Sequence, residues 1–160
     1  MTVSAAILTI SDSSAAGERE DSSGPALSDR CRELGWTICA QAIVPDDLDR
    51  IAATLREWAD SNQANVILTT GGTGLAPRDV TPEATRSVLQ REIPGLPELI
   101  RSEGLRQTRF SALSRGLAGS REKTLIINLP GSPRGAVFSL NAIADLVPHA
   151  VALLAGQTAH

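Results

Sequence analysis

Apolar residues in this chain are concentrated in four short runs, and each run is followed by a loop rich in Gly, Pro, Asp or hydroxyl residues. Runs of this length without polar alternation are typical of strands that are buried on both faces of a parallel sheet. The predicted strands lie at residues 3–10, 36–44, 65–70 and 125–129.

Between these runs, apolar residues recur at the spacing of helices with one buried face. Leu27, Cys31 and Leu34 show this spacing, and Gly35 follows at the point where the helix should end. The other predicted helices lie at residues 48–59, from residue 81 onward, at 96–105 and at 143–154, the last of them kinked or split at Pro148.

Strands that alternate with helices imply right-handed crossover connections and a mostly parallel sheet. We therefore predict an α/β fold of the three-layer sandwich type, in which helices cover both faces of the sheet. The chain has 160 residues and contains neither an internal repeat nor a low-complexity linker. This predicts a single domain over residues 1–160.

Several residues at the ends of the predicted strands have the chemistry of helix caps. Thr81 is predicted to cap a helix with Pro82 at its first position and Glu83 in its first turn. After the second strand, Asp46 lies closer to the strand end. We therefore expect Asp47 to be the cap of the next helix.

Composition narrows the possible functions. The net charge is -3, only one of the 15 basic residues is Lys, and there is no Tyr, which disfavours broad nucleic-acid binding. No run reaches the roughly 18 apolar residues of a membrane span. Cys31 and Cys39 form no CxxC pair, which disfavours a sulfur-ligated metal and predicts a cytoplasmic location, with Cys31 in the core.

Open parallel sheets bind ligands outside the carboxyl ends of their strands, and the third predicted strand ends in Gly71, Gly72, Thr73 and Gly74. This segment matches neither the dinucleotide fingerprint nor the P-loop. Its N–H groups suit a phosphate, although a tight strand-to-helix turn needs the same glycines. Arg78 and Asp79 favour phosphate and Mg²⁺ chemistry, the alternative being an ordinary surface ion pair.

Five motifs in a fixed order connect these observations. They are Ile10-Ser11-Asp12; Val44-Pro45-Asp46-Asp47; Thr69-Thr70-Gly71-Gly72-Thr73-Gly74 with Pro77-Arg78-Asp79-Val80-Thr81-Pro82-Glu83-Ala84-Thr85; Leu113-Ser114-Arg115; and Ile127-Asn128-Leu129-Pro130-Gly131. In these motifs the chain resembles the molybdopterin-binding family of molybdenum cofactor biosynthesis, the MogA/MoaB type and the G domain of plant Cnx. The resemblance extends over residues 7–154.

The resemblance implies a homotrimeric molybdopterin adenylyltransferase, which converts molybdopterin and Mg²⁺-ATP to adenylyl-molybdopterin and pyrophosphate. It implies that Asp46 and Asp79 are catalytic and hold Mg²⁺, and that a downstream metal insertase is a partner. The residues implied to bind nucleotide and pterin are Ser11, Asp12, Gly71, Gly72, Thr73, Gly74, Arg78, Ser114, Arg115, Pro130, Gly131 and Ser132.

Nucleotidyl transfer requires aligned phosphates and neutralised charge more than covalent work by the protein. We expect Arg78 or Arg115 to neutralise phosphate oxygens together with the glycine segment. Because the chain has no Tyr, we expect the pterin and adenine rings to be held by backbone, Ser and aliphatic groups.

Two other functions fit parts of the pattern. A MoaB-type protein would bind molybdopterin without adenylylating it, but such a protein has less need of both Asp46 and Asp79. A flavodoxin-like flavin or nucleotide carrier fits the sheet pattern, and the small number of aromatic residues disfavours it. Both a molybdenum and a tungsten cofactor pathway remain open.

Overall fold

Three central strands are buried because almost every residue in them is apolar or a Thr with a hydrogen-bond partner. The computed structural model describes residues 2–158 and places β1 (Ser4–Ile10), β3 (Val66–Thr70) and β6 (Thr124–Leu129) side by side in parallel. In this register Leu68 is opposite Ile7 on one side and Ile127 on the other. The carboxyl ends of all three strands therefore lie at one edge of the sheet.

The described sheet has six strands in the order β2-β1-β3-β6-β5-β4. The remaining strands are β2 (Thr37–Val44), which is parallel to β1, β5 (Ala118–Arg121), which is antiparallel to β6, and β4 (Arg91–Glu92), which is antiparallel to β5. The sheet is mostly parallel, as predicted, but the sequence analysis missed β4 and β5. They are two and four residues long, too short for a two-residue alternation to be visible.

Within residues 2–158 the chain forms seven α-helices and one 3₁₀ helix, Arg109–Leu113. The α-helices are α1 (Asp12–Ala15), α2 (Ser23–Glu33), α3 (Leu48–Asp60), α4 (Thr81–Val88), α5 (Gly95–Gly104), α6 (Pro133–Ile143) and α7 (Val147–Leu154). The predicted C-terminal helix is split before Pro148, which lies in the first turn of α7. This position suits Pro because the first turn needs no backbone donor.

Successive residues of the central strands point to opposite faces and form two separate apolar layers. On one face Ile7 and Leu68 pack with α2, α5, α6 and α7; on the other, Leu8 and Ile67 pack with α3 and α4. This confirms the predicted three-layer α/β sandwich. Cys31 is fully buried in the first layer, as predicted, and burial raises the pKa of its thiol to about 12.

The structure confirms one of the two predicted helix caps and contradicts the other. Asp47 accepts a hydrogen bond from the Arg50 N–H at 2.9 Å and begins α3, as predicted. The prediction for Thr81 is wrong, because Val80 is the cap residue of α4 and makes no side-chain cap bond. The Thr81 hydroxyl instead donates to the Gly71 carbonyl at 2.9 Å and so connects α4 to the loop after β3.

None of the helices in the described part of the chain combines the length and the apolar character needed to cross a membrane on its own. Only α6 and α7 taken together have that composition, and they are bent by 65° relative to each other.

Asn128 is a buried polar residue at the end of β6, and each of its side-chain polar atoms has a partner. Its Oδ1 accepts from the Leu117 N–H at 3.0 Å, and its Nδ2 donates to the hydroxyls of Thr69 and Thr85 at 3.0 and 2.9 Å. The side chain therefore joins β6 to β3, to α4 and to the segment before β5.

We predict that Asn128→Ala lowers the free energy of unfolding by about 2–4 kcal/mol, because it leaves buried donors and acceptors without partners. Asn141→Ala is the matched control, since Asn141 is exposed and accepts one bond from Arg30. The control should change stability by about 0.5 kcal/mol or less. Urea unfolding measures both values, and equal losses would contradict a special role for Asn128.

Candidate active site at the strand ends

The loop after β3 passes very close to the end of β1, and only glycine fits there. Gly71 has a φ of +107° and Gly72 a φ of +69°. A Cβ on Gly71 would collide with the carbonyl oxygen of Ile10. Gly131, in the loop after β6, lies on the other side, where a Cβ would be 3.2 Å from the Gly71 Cα. The loops after β1, β3 and β6 are therefore in direct contact.

Two carboxylates lie over this glycine loop. A Cβ on Gly72 would be 3.1 Å from Asp46 Oδ1, and a Cβ on Gly74 would be 2.9 Å from Asp79 Oδ2. The Asp79 Oδ2 atom also accepts from the Ala76 N–H at 3.1 Å. Glycine at these positions is what allows both carboxylates to approach the backbone.

Asp46 is held by a reciprocal pair of bonds with Asp12. The Asp12 N–H donates to Asp46 Oδ2, and the Asp46 N–H donates to Asp12 Oδ1, both at 3.0 Å. Arg78 adds a two-pronged contact with Asp12, Nε to Oδ2 at 2.9 Å and Nη2 to Oδ1 at 2.8 Å. The hydrogen bonds among Asp12, Asp46 and Arg78 thus connect the loops that follow β1, β2 and β3.

The carboxylates of Asp12 and Asp46 have opposite pKa shifts. The Arg78 side-chain bond, helped by the bond from the Asp46 N–H, lowers the pKa of Asp12. Burial raises the pKa of Asp46, and the negative charges of Asp12 and Asp79 raise it further, against the bond from the Asp12 N–H and the charge of Arg78. The ionised form of Asp46 is therefore held at a cost to the folded protein.

Arg115 supports the glycine loop through its guanidinium. Its Nε donates to the Gly74 carbonyl and its Nη2 to the Asp79 carbonyl, both at 2.8 Å. Its Nη1 contacts Glu83 at 2.6 Å, and this bond lowers the pKa of Glu83. Both arginines that we expect to neutralise phosphate are therefore already bonded to protein groups in this structure.

Two cavities open on either side of the glycine loop. One has a volume of about 270 Å³ and is polar; the other, of about 460 Å³, is lined largely by apolar groups such as Ile100, Phe110, Leu113 and Phe138. Phe110 and Phe138 thus place aromatic groups in this cavity, and the expectation that backbone, Ser and aliphatic groups hold the rings stays a prediction.

The predicted site residues divide between these cavities. The polar cavity is lined by Ser11, Asp46, Gly71, Gly72, Asp79 and Gly131, and the apolar cavity by Thr73, Gly74, Ser114, Pro130 and Ser132. Asp12, Arg78 and Arg115 line neither cavity and bond to the residues around them. Ser132 also begins α6, where its hydroxyl accepts from the Gly135 N–H at 3.1 Å.

Arg19 and Asp21 are among the residues of the polar cavity that sequence reasoning missed; the others are Thr9, Ile10, Ser14, Glu20, Ser22, Ser23 and Thr70. Asp21 accepts from the Thr9 hydroxyl at 2.8 Å and from the Gly24 N–H at 3.1 Å, next to the start of α2. Its position just before a helix was a usable signal, because Asp is favoured where the first N–H groups need acceptors. Arg19 lies in an exposed loop without a motif, so nothing local indicated its position.

The donor set of the polar cavity fits Mg²⁺ better than a transition metal. Among the described residues, no group of three or more His, Cys, Asp or Glu could hold a metal ion. Magnesium commonly uses one or two carboxylates and completes its shell with water and substrate phosphates. Asp46 and Asp79 provide that number of carboxylates beside the glycine loop, and Glu20 and Asp21 also line the cavity.

Comparison with known proteins gives one consistent result. Residues 6–149 match the family described as "Probable molybdopterin binding domain". The chain is 40% identical over 158 residues to the molybdopterin adenylyltransferase of Helicobacter pylori strain J99, covering 98% of this chain and 90% of that protein. It is 48% identical over 149 residues to the molybdenum cofactor synthesis protein cinnamon of Drosophila melanogaster, covering 92% of this chain but only 25% of cinnamon.

The similarity extends to solved structures. The crystal structure of the molybdopterin biosynthesis enzyme MoaB from Thermus thermophilus superposes with a TM-score of 0.91 at 50% identity. The match covers 97% of this chain and 98% of that one.

We predict that Asp46→Asn raises the free energy of unfolding at neutral pH. Because the folded pKa of Asp46 is raised, its ionised form destabilises the folded state, and Asn removes that charge while keeping an oxygen acceptor. The gain should shrink as the pH falls through the folded pKa and vanish below the unfolded value of 3.8. Asp47→Asn is the control, since Asn caps a helix as well as Asp. A wild type more stable than Asp46→Asn at pH 7 in urea unfolding would contradict this account.

We predict that Gly71→Ala destabilises the protein far more than Gly17→Ala. Both positions have a positive φ, but a Cβ on Gly17 meets no atom within 4 Å. Gly17→Ala should therefore show only the backbone cost of about 1–2 kcal/mol. Gly71→Ala adds the collision with Ile10, so its midpoint in urea should be clearly lower. Equal midpoints would show that the loop moves away freely.

Proposed function

Because this chain belongs to the molybdopterin-binding family of molybdenum cofactor biosynthesis, we propose that it is a nucleotidyltransferase that adenylylates molybdopterin with Mg²⁺-ATP. The observation that carries the proposal is the placement of Asp46 and Asp79 over a glycine loop, in a polar cavity next to a larger apolar one. Homotrimer assembly and transfer of the product to a metal insertase stay expectations from the resemblance, and a cytoplasmic location stays an expectation from the cysteine pattern.

In the proposed reaction an oxygen of the molybdopterin terminal phosphate attacks the α-phosphorus of ATP. The bond from that phosphorus to the oxygen bridging to the β-phosphate breaks, and pyrophosphate leaves with the electron pair. No side chain needs to form a covalent bond, so the protein contributes alignment of the two phosphates and stabilisation of the negative charge that develops.

The polar cavity has the groups to hold the phosphates. The positive φ values of Gly71 and Gly72 turn the loop backbone into a conformation that suits anion binding. The hydroxyls of Ser11 and Ser14 and the guanidinium of Arg19 line the same space. Among the described residues, Arg19 is the cation that lines this cavity.

The apolar cavity has the groups to hold a flat ring. Phe110 and Phe138 provide aromatic surface, and the hydroxyls of Ser114 and Ser132 provide hydrogen-bonding groups at its edge. Gly74, which lines this cavity, follows Gly72, which lines the other, so the glycine loop runs between them. A ligand with a ring and a phosphate would therefore extend from one cavity to the other along this loop.

Asp46 and Asp79 are the residues that would hold Mg²⁺. When bound there with the nucleotide, Mg²⁺ would neutralise charge on the phosphate oxygens and on the departing pyrophosphate. The protein keeps both carboxylates in place without it, Asp46 through the Asp12 N–H and Asp79 through the Ala76 N–H.

We predict that Asp79→Asn abolishes adenylylation while leaving molybdopterin binding largely intact, because Asn keeps the size of the side chain but removes the charge that binds Mg²⁺. Incubation with molybdopterin, Mg²⁺ and ATP, followed by measurement of pyrophosphate and adenylylated product, gives the activity. A titration without ATP gives the binding.

Asp145→Asn is the control for this experiment. Asp145 is a carboxylate beyond the C-terminal end of α6, whereas the site lies at the N-terminal end of that helix. It should retain full activity. Equal loss of binding and turnover in a folded Asp79→Asn variant would contradict the catalytic assignment. A wild type that binds molybdopterin tightly but releases no pyrophosphate would instead identify a molybdopterin-binding protein without transferase activity.

A further inference from the structure

Asp12 is the residue that connects Asp46 to the rest of the strand ends. Its Oδ1 accepts from the Asp46 N–H at 3.0 Å and from Arg78 Nη2 at 2.8 Å, and its Oδ2 accepts from Arg78 Nε at 2.9 Å. Both oxygens are therefore engaged by protein donors. A carboxylate that binds a ligand would instead have an oxygen free to contact it. Asp12 also does not line either cavity beside the glycine loop.

The bonds to Asp12 determine which oxygen of Asp46 remains available. Asp46 Oδ2 accepts from the Asp12 N–H at 3.0 Å, whereas Asp46 Oδ1 points to the glycine loop, 3.1 Å from where a Gly72 Cβ would lie. One oxygen thus holds the carboxylate in place, and the other lies against Gly72 of the glycine loop, which lines the polar cavity together with Asp46. A rotation of the Asp46 side chain would break the bond from Asp12.

We propose that Asp12, held by Arg78, is a positioning residue that fixes the loop after β2 and turns Asp46 Oδ1 toward the polar cavity. The proposal rests on the proposed adenylyl transfer and replaces the direct ligand-binding role that the family resemblance implies for Asp12 and Arg78. Asp12 connects the loop after β1 to the loop after β2, and Arg78 connects both to the loop after β3.

Arg78 also suits this role better than a role in phosphate binding. Two of its nitrogens bond to Asp12 in the planar, two-pronged geometry that a guanidinium forms with a carboxylate. To contact a phosphate with the same nitrogens it would have to release Asp12, which would leave the Asp12 and Asp46 carboxylates adjacent without the cation between the loops.

Steady-state kinetics of the folded holoenzyme distinguish the two roles. Asp12→Ala and Arg78→Ala should each lower kcat by about 10- to 100-fold through misplacement of Asp46. The KM values for ATP and molybdopterin should stay within about twofold of wild type, because no substrate contact is lost. Arg78→Lys should recover only part of kcat, since an ammonium cannot form the two-pronged contact.

A double-variant cycle tests whether Asp12 acts through Asp46. Asp12→Ala should add little to the loss caused by Asp46→Asn, because the residue that it positions has already lost its charge. The positioning role would be overturned if the two losses of kcat multiplied in the double variant. It would also be overturned if Asp12→Ala raised KM about tenfold and retained kcat. The control is Asp29→Ala, which removes an exposed Asp–Arg pair with Arg32 on α2, away from the site, and should change neither constant.

Amide hydrogen exchange provides a readout that does not depend on activity. In Asp12→Ala the Asp46 N–H loses its acceptor, so its exchange should accelerate by about tenfold or more while the amides within β1 and β3 stay protected. Unchanged protection at Asp46 would overturn the proposal. A wild type that makes no adenylylated product would overturn the proposed function separately, and the exchange result would still decide whether Asp12 holds Asp46.

Discussion

The close passage of Gly71 by the end of β1 is the contact on which the remaining geometry of the site depends. The Gly71 N–H donates to the Leu129 carbonyl at 3.2 Å, and the Gly71 carbonyl accepts from the Thr81 hydroxyl at 2.9 Å. One residue therefore joins the ends of β3 and β6 to the start of α4. At Gly71, backbone and not a side chain occupies the space between the ends of β1 and β6. The loop then continues into the segment that holds Asp79. Any side chain at residue 71 would separate these elements.

The site combines this tight backbone packing with unfavourable electrostatics. The negative charges of Asp12 and Asp79 both act on Asp46, and Arg78 is bonded to Asp12. The raised pKa of Asp46 is the signature of that crowding and of burial. In the proposed function, polyanionic substrates would meet a negative group here, and a divalent cation between the carboxylates and the phosphates would reduce both repulsions at once. Under the proposed function, stability and activity thus make opposite demands on Asp46.

Sequence patterns predicted the features that are determined locally. Continuous apolar runs indicated the buried strands, and an Asp just after a strand indicated the cap of α3, because both signals depend on neighbouring residues. Contacts between distant segments left no such signal. Arg115 contacts carbonyls 41 and 36 residues away, and Phe110 reaches its cavity from a 3₁₀ helix. The motifs located Asp12 and Arg78 in the site region, but their mutual bond depends on the fold.

The parallel register of the central strands has a consequence for how the protein folds. β1 pairs with β3 at a separation of about sixty residues, and β3 pairs with β6 at a similar separation. Such non-local pairings have a high entropic cost before they are stabilised, which makes folding slow for a given stability. The bonds around Asp46 and Gly71 join the ends of these same strands. A chain in which these strands have not yet paired therefore lacks the assembled loops of the site.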